Sequence, residues 1–312
     1  MSYYEMIKLP KILPPSEDGV FKSTFTSPGA KPALLELLSD ILDRPLKDVE
    51  IRNNELPIND IEAKREVFDI NCVAADEQSQ MDIEMQSTPM EGDTLANEHR
   101  HIRNRAVFNL CDLHASQPGR GIRYADLHNS YQITICNYKV FNWENELVER
   151  FTYRNESGKE LSGITTAIFI DLTQADKIAK KPVEEMNDVE QWVMYFTKGN
   201  DPSYQKAINT IIEKKEGISV AYQMLTSIST DEIERAHFRS RRMWQMDRDH
   251  EIAEAQYEGE KKGRAEGEKK GRAEGRTAIA KKMLKASMSF ADIAKLTELS
   301  EEEIRALDKE SI

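Results

Sequence analysis

Long apolar runs are missing from this 312-residue chain. No stretch approaches the roughly 18–20 apolar residues that a helix needs to cross a bilayer, so no membrane partner is expected. Cysteine is scarce. Cys72, Cys111 and Cys136 are scattered, odd in number and without a CxxC pair. That usage excludes a disulfide framework and a thiolate zinc site and fits a reducing compartment. Residues 1–15 contain no apolar run ending in a small-residue cleavage site, so a secretory signal is not expected and a cytoplasmic location is. Basic charge is also in deficit. The chain carries 43 Lys and Arg against 55 Asp and Glu, a net charge of −12, whereas nucleic-acid binders usually present a basic footprint.

The deficit is uneven. Arg100, Arg103, Arg105, Arg120 and Arg123 fall between His99 and Tyr124 with Asp112 as the acid among them. A second run holds Arg239, Arg241 and Arg242, for which a scatter of solvated charges is an equal reading. Acidic residues gather at 47–98 and 184–190, so an acidic chain can still present a local positive face. The length suits one domain of about 200–250 residues with an appendage, or two ordinary domains.

Residues 16–26 read as a short helix entered from Pro14-Pro15 and capped by Ser16. Residues 31–43 carry Leu34, Leu35, Leu38, Ile41 and Leu42 at helical spacing. A strand is expected near 48–52, then an antiparallel hairpin of 66–75 and 80–87 joined by a polar turn. A polar helix over 94–116, strands at 130–138 and 163–172, and a helical region over 186–227 complete a mixed α/β domain. The last third departs from this. Residues 258–276 repeat EGEKKGRA, with glycine at 259, 263, 267, 271 and 275. Each internal glycine costs a helix about 1 kcal/mol, so the segment reads as a flexible charged linker or as a stripe where another backbone approaches. Short helices follow at 277–287, 289–296 and 300–307, with Ser289 and Ser300 as caps.

The hairpin carries the candidate chemistry. Glu84 and Gln86 lie two apart on one strand and share a face; Met81, Ile83 and Met85 take the other. A short turn can bring Asp69 beside Glu84. Two close carboxylates ask for a cation, and Mg²⁺ takes hard oxygen ligands of this kind. On the residues alone, a solvated strand face is the commoner explanation of such a pair.

The spacing D-x14-E-x-Q, with helices before and after, resembles the PD-(D/E)XK nuclease superfamily. It is similar in particular to its recombination-promoting nuclease (Rpn) and transposase family, in which glutamine replaces the motif's final lysine. The likeness runs from Asp18-Gly-Val-Phe21-Lys22 through the leucine-rich helix, Glu84-Met-Gln86-Ser87, Arg105-Ala-Val-Phe108 and Tyr124-Ala-Asp-Leu127 to the glycine repeat and the closing IAKLTELSEEEIRAL. Asn109 departs from it, where a second aromatic is common.

That resemblance implies a restriction-endonuclease-like α/β core, a mixed sheet flanked by helices, over 1–227. A charged segment over 228–276 and a helical hairpin over 277–312 would follow. It implies metal-dependent cleavage of DNA by a homodimer, with Mg²⁺ or Mn²⁺ and no organic cofactor. Asp69 and Glu84 would hold the metal with the carbonyl of Met85. Gln86 would position water, since an amide cannot take a proton. Asp18 would support the metal through water, and Arg103, Arg105 and Lys22 would meet DNA, Arg105 alternatively bracing Glu84. His99 and His101 fit an exposed polar helix face better than a phosphate contact.

Overall fold

The computed structural model describes residues 11–53, 70–75, 78–89, 99–117 and 123–309, and the backbone alone at 245–247, 249, 250 and 309. The chain forms two compact units, Met1–Arg239 and Ser240–Ile312.

The first unit is built on a six-stranded mixed sheet. In chain order the strands are β1 (Val49–Asn53), β2 (Ile70–Ala74), β3 (Gln80–Gln86), β4 (Ser130–Cys136), β5 (Val148–Phe151) and β6 (Thr165–Asp171). Their spatial order is β1-β2-β3-β4-β6-β5. β2 and β3 form the expected antiparallel hairpin, with Ile70 opposite Ile83 and Cys72 opposite Met81. β3 then runs parallel to β4, and β4 parallel to β6. Strands parallel to their neighbours are covered on both faces, and all seven residues of β3 are buried. β5 was not foreseen. It is a four-residue edge strand whose burial shows no two-residue alternation.

Pleat alternation divides the sheet. Met81, Ile83, Met85, Ile133, Ile135, Ile168 and Ile170 face the main core. Covering that face are α1 (Asp18–Thr26), α2 (Lys31–Leu42), α5 (Asp188–Lys198), α6 (Gln205–Lys214) and α7 (Glu216–Thr230); a one-turn α4 (Ala175–Ile178) joins β6 to α5. α1 begins from Glu17 with no side-chain cap, so the expected Ser16 cap is not used. α2 buries Leu34, Leu37, Leu38 and Ile41, which recur at the 3.6-residue period. The other face lies under α3 (Arg100–Ala115), which seats Ile102, Ala106 and Leu110 against Cys136, Ala167 and Phe169. Two helical layers therefore enclose one sheet.

α8 (Glu232–Lys285) contributes Phe238 to the first core, and its later turns belong to the second unit. The glycine repeat is helical here. Ion pairs at i,i+4 line it, Glu258–Lys262 at 3.7 Å, Arg264–Glu268 at 3.5 Å and Lys270–Glu274 at 3.9 Å, each worth a few tenths of a kcal/mol. A Cβ added at any of the five repeat glycines would meet nothing within 4 Å, so among the described residues no backbone uses the space. α9 (Phe290–Thr297) and α10 (Glu301–Lys309) fold back on the end of α8 around Ala280, Ile293 and Ile304. Ser289 and Ser300 cap them as expected, Ser300 and Glu303 exchanging bonds in a capping box.

Candidate functional site

β3 carries its acids inward on the α3 side. Glu84 is 0% exposed, so the solvated-face reading does not apply to it. Its Oε1 receives two cationic or polar hydrogens. Gln86 Nε2 donates to it at 2.6 Å from two residues along the strand. The Arg105 guanidinium, reaching down from α3 with its side chain 33% exposed, forms an ion pair with the same oxygen. A buried carboxylate is tolerated only with such partners, and an arginine is the suited cation because it cannot lose its proton here. Arg105 thus makes the contact with Glu84 that is one of the two expected of it.

Asp18 arrives from the opposite layer. It opens α1, where the helix dipole favours an acid, and its Oδ1 accepts the Ser87 N–H at 2.9 Å, just past the end of β3. Burial raises its carboxyl above the ordinary value, while its bonds to Ser87 and its own backbone, together with the charge of Arg105, pull the other way. Asp18, Glu84, Gln86 and Arg105 thus converge at the C-terminal end of β3. In sheets with parallel strands this is the end where ligands bind.

Register brings in two residues that no sequence motif marks. Gln86 pairs with Cys136, and Cys136 with Asp171, all at the same ends of adjacent strands. Burial pushes the Cys136 thiol far up, and the negative charges of Glu84, Asp171 and Asp18 push it further. Three carboxylates therefore act on one buried point. Asp171 is also occupied structurally: Asn145 donates to its Oδ2 and Thr173 to its Oδ1. Ser87 was visible in the E-x-Q-S motif; Cys136 and Asp171 required the strand register.

The remaining expectations fall elsewhere. Asp69 lies outside the described residues, as does Arg120. The Met85 side chain is buried in the main core, which leaves its carbonyl as the group that could face a metal. Lys22 is half-buried one turn beyond Asp18, and Arg103 is half-buried on α3 two residues before Arg105. Arg123 is engaged by Asp126 through two bonds of 2.8 Å. His99 is not on a solvated face; it is a buried residue at the start of α3.

Among the described residues no three His, Cys, Asp or Glu side chains are grouped to hold a metal ion. The chemistry of the donors nevertheless suits a hard cation. Accumulated carboxylate charge in a desolvated place, offset in part by the Arg105 guanidinium, is stabilised by a divalent ion with oxygen ligands. Among the described residues no helix is long and apolar enough to cross a membrane.

No curated protein and no solved structure matches this chain. Its sequence does match one family, described as PD-(D/E)XK nuclease family transposase, over residues 15–255. The matched span takes in Asp18, Glu84, Gln86 and Arg105 together with the whole sheet. With the mixed sheet and its flanking helices arranged in the restriction-endonuclease-like manner, the chain belongs to the PD-(D/E)XK nuclease family transposases.

Proposed function

We propose that the chain is a divalent-metal-dependent DNA endonuclease, hydrolysing phosphodiester bonds at the C-terminal end of β3. The observation that carries this reading is Glu84: a carboxylate fully buried on a central strand and held in one orientation by Gln86 and Arg105. A purely structural position is better filled by an apolar residue, because an ion pair in the interior rarely repays its desolvation.

Glu84, Asp69 and the Met85 carbonyl would hold the ion. A bound Mg²⁺ or Mn²⁺ supplies a water of lowered pKa and neutralises charge on the scissile phosphate. Gln86 fixes the Glu84 carboxylate and can orient water, but it cannot accept a proton. Asp18 anchors the chain past β3 and adds an acceptor at the rim. Arg105 holds Glu84 in place and, being partly exposed, presents charge to a phosphate. Arg103 and Lys22 extend that positive side along the DNA backbone. A homodimer would supply two such sites for cutting both strands.

The test is cleavage of supercoiled plasmid by the full chain with Mg²⁺, Mn²⁺ or EDTA, alongside Asp69→Ala and Glu84→Ala. Cleavage with metal, lost in both variants, is the expected result. Cleavage surviving both places the site elsewhere. DNA bound but never cut favours a second reading, a binding relative without catalysis, to which the Arg105–Glu84 pair would then be purely structural.

A further inference from the structure

His99 stands at two costs that nothing among the described residues offsets. Its backbone is left-handed, φ 48°, a region that costs a non-glycine residue about 1–2 kcal/mol. Its side chain is buried, 4% exposed, and Nδ1 has no hydrogen-bond partner. A buried polar atom left unbonded costs about 1–3 kcal/mol, and backbone strain of this kind gathers at functional sites.

Its position says what could repay both. His99 begins α3, the 16-residue helix that carries Arg105. Arg105 lies six positions on, roughly 9 Å along the axis, with His99 toward the end where β3 and β4 stop. There its ring lies against Tyr138, centroids 5.2 Å apart, two residues beyond the end of β4. Asn137, between them, donates its N–H to the carbonyl of Gln86 at 2.9 Å. His99 therefore borders the rim of the candidate site, at the positive end of a helix dipole, with Arg100 and Arg103 on the same helix.

We infer that the His99 imidazole binds a non-bridging oxygen of a DNA backbone phosphate flanking the bond that is cut. This rests on the nuclease reading and adds to it a contact outside the metal ligands. The ring turns on its χ angles to bring the Nδ1–H to the rim, where it donates to the phosphate oxygen, so an atom without a bond in the unbound chain gains one when substrate arrives. A bond to a charged acceptor makes up for more than a neutral one, which favours phosphate over a base edge.

The test uses the full chain, a short fluorescein-labelled DNA duplex and two variants. His99→Asn keeps a residue that tolerates the left-handed backbone and caps helices well; His99→Phe keeps a ring against Tyr138. Both are expected to bind the duplex about tenfold or more weakly in Ca²⁺, and to raise KM more than they lower kcat. A walk of single neutral methylphosphonates along the strand then locates the contact. At one position the substitution weakens wild type about tenfold and leaves both variants unchanged. Wild-type affinity and KM in His99→Phe, or methylphosphonate effects that add to the variants at every position, overturn the inference. A wild-type chain that neither binds nor cuts DNA overturns the nuclease reading and this contact with it.

Discussion

Replacing Arg105 with methionine tests the electrostatic logic of the site directly. The side chain keeps an unbranched apolar stem but is shorter and loses the cation that meets Glu84. Removing one partner of a buried pair costs about 3–5 kcal/mol, because the remaining charge is left in a medium that cannot solvate it. Glu84 is fully buried, but Arg105 is one-third exposed and Gln86 still donates to the same oxygen, so the lower end, about 3 kcal/mol, is expected. For a unit of this size each kcal/mol moves the midpoint by about 2–4 °C, giving a fall of roughly 6–12 °C. Thermal unfolding followed by circular dichroism in EDTA measures it. Glu84→Gln in the same background removes the uncompensated charge and should restore most of the loss, a coupling of about 1–3 kcal/mol. Mn²⁺ should raise the midpoint of Arg105→Met more than that of wild type, since the ion takes over neutralisation. A fall under about 2 °C, or an equal fall in the double variant, refutes the claim that Arg105 neutralises Glu84.

Asp18→Asn keeps an acceptor for Ser87 N–H and removes the charge that burial disfavours. Because the folded-state pKa is raised, the carboxyl stabilises the fold only while protonated, and that stability is lost as pH rises through the folded value. The variant should therefore melt above wild type at pH 7, the gap closing as pH falls toward 3.8, the carboxyl's ordinary value, in a pH series of midpoints. Lys215→Met strips the cation that meets Asp40 at 2.5 Å, Asp188 at 2.8 Å and Glu36 at 3.4 Å, and should cost about 3 kcal/mol or more in urea unfolding. Gly217→Ala puts a methyl 2.6 Å from the Glu36 Cβ and should cost about 1–3 kcal/mol in the same assay. Replacing the five repeat glycines with alanine should raise the thermal midpoint of helix loss, each gaining up to about 1 kcal/mol, because nothing lies within 4 Å of the new methyls. A lower midpoint would contradict a helical repeat with open space at these positions.

Elements with a strong period were legible in the sequence. The hairpin of β2 and β3 could be read from alternation around a polar turn, and α2 from leucines three and four apart. β5 could not, because an edge strand half-open to solvent has no apolar face to report. Within the site, Glu84 and Gln86 were legible because they share one strand. Their burial was not. It comes from β4, whose parallel pairing with β3 spans a helix and loops, and from α3 lying over both. His99 was misread for a related reason: an amphipathic pattern describes a helix's middle turns, and the residue that enters the helix is placed by what precedes it. Asp171 and Cys136 joined Glu84 through register alone.

The layer beneath β3 closes late. α2 packs on α7, Lys215 reaches back to Asp40, and the N–H of Leu13 donates to Ser229 Oγ at 2.9 Å across 216 positions. A ribosome making this chain releases Glu84 long before Leu225 and Ile228, which complete the core behind it. Throughout that interval the strand bearing Glu84 lacks its supporting helix, so the order of synthesis sets when the candidate site can form, and a chain ended short of Thr230 is left without a finished one.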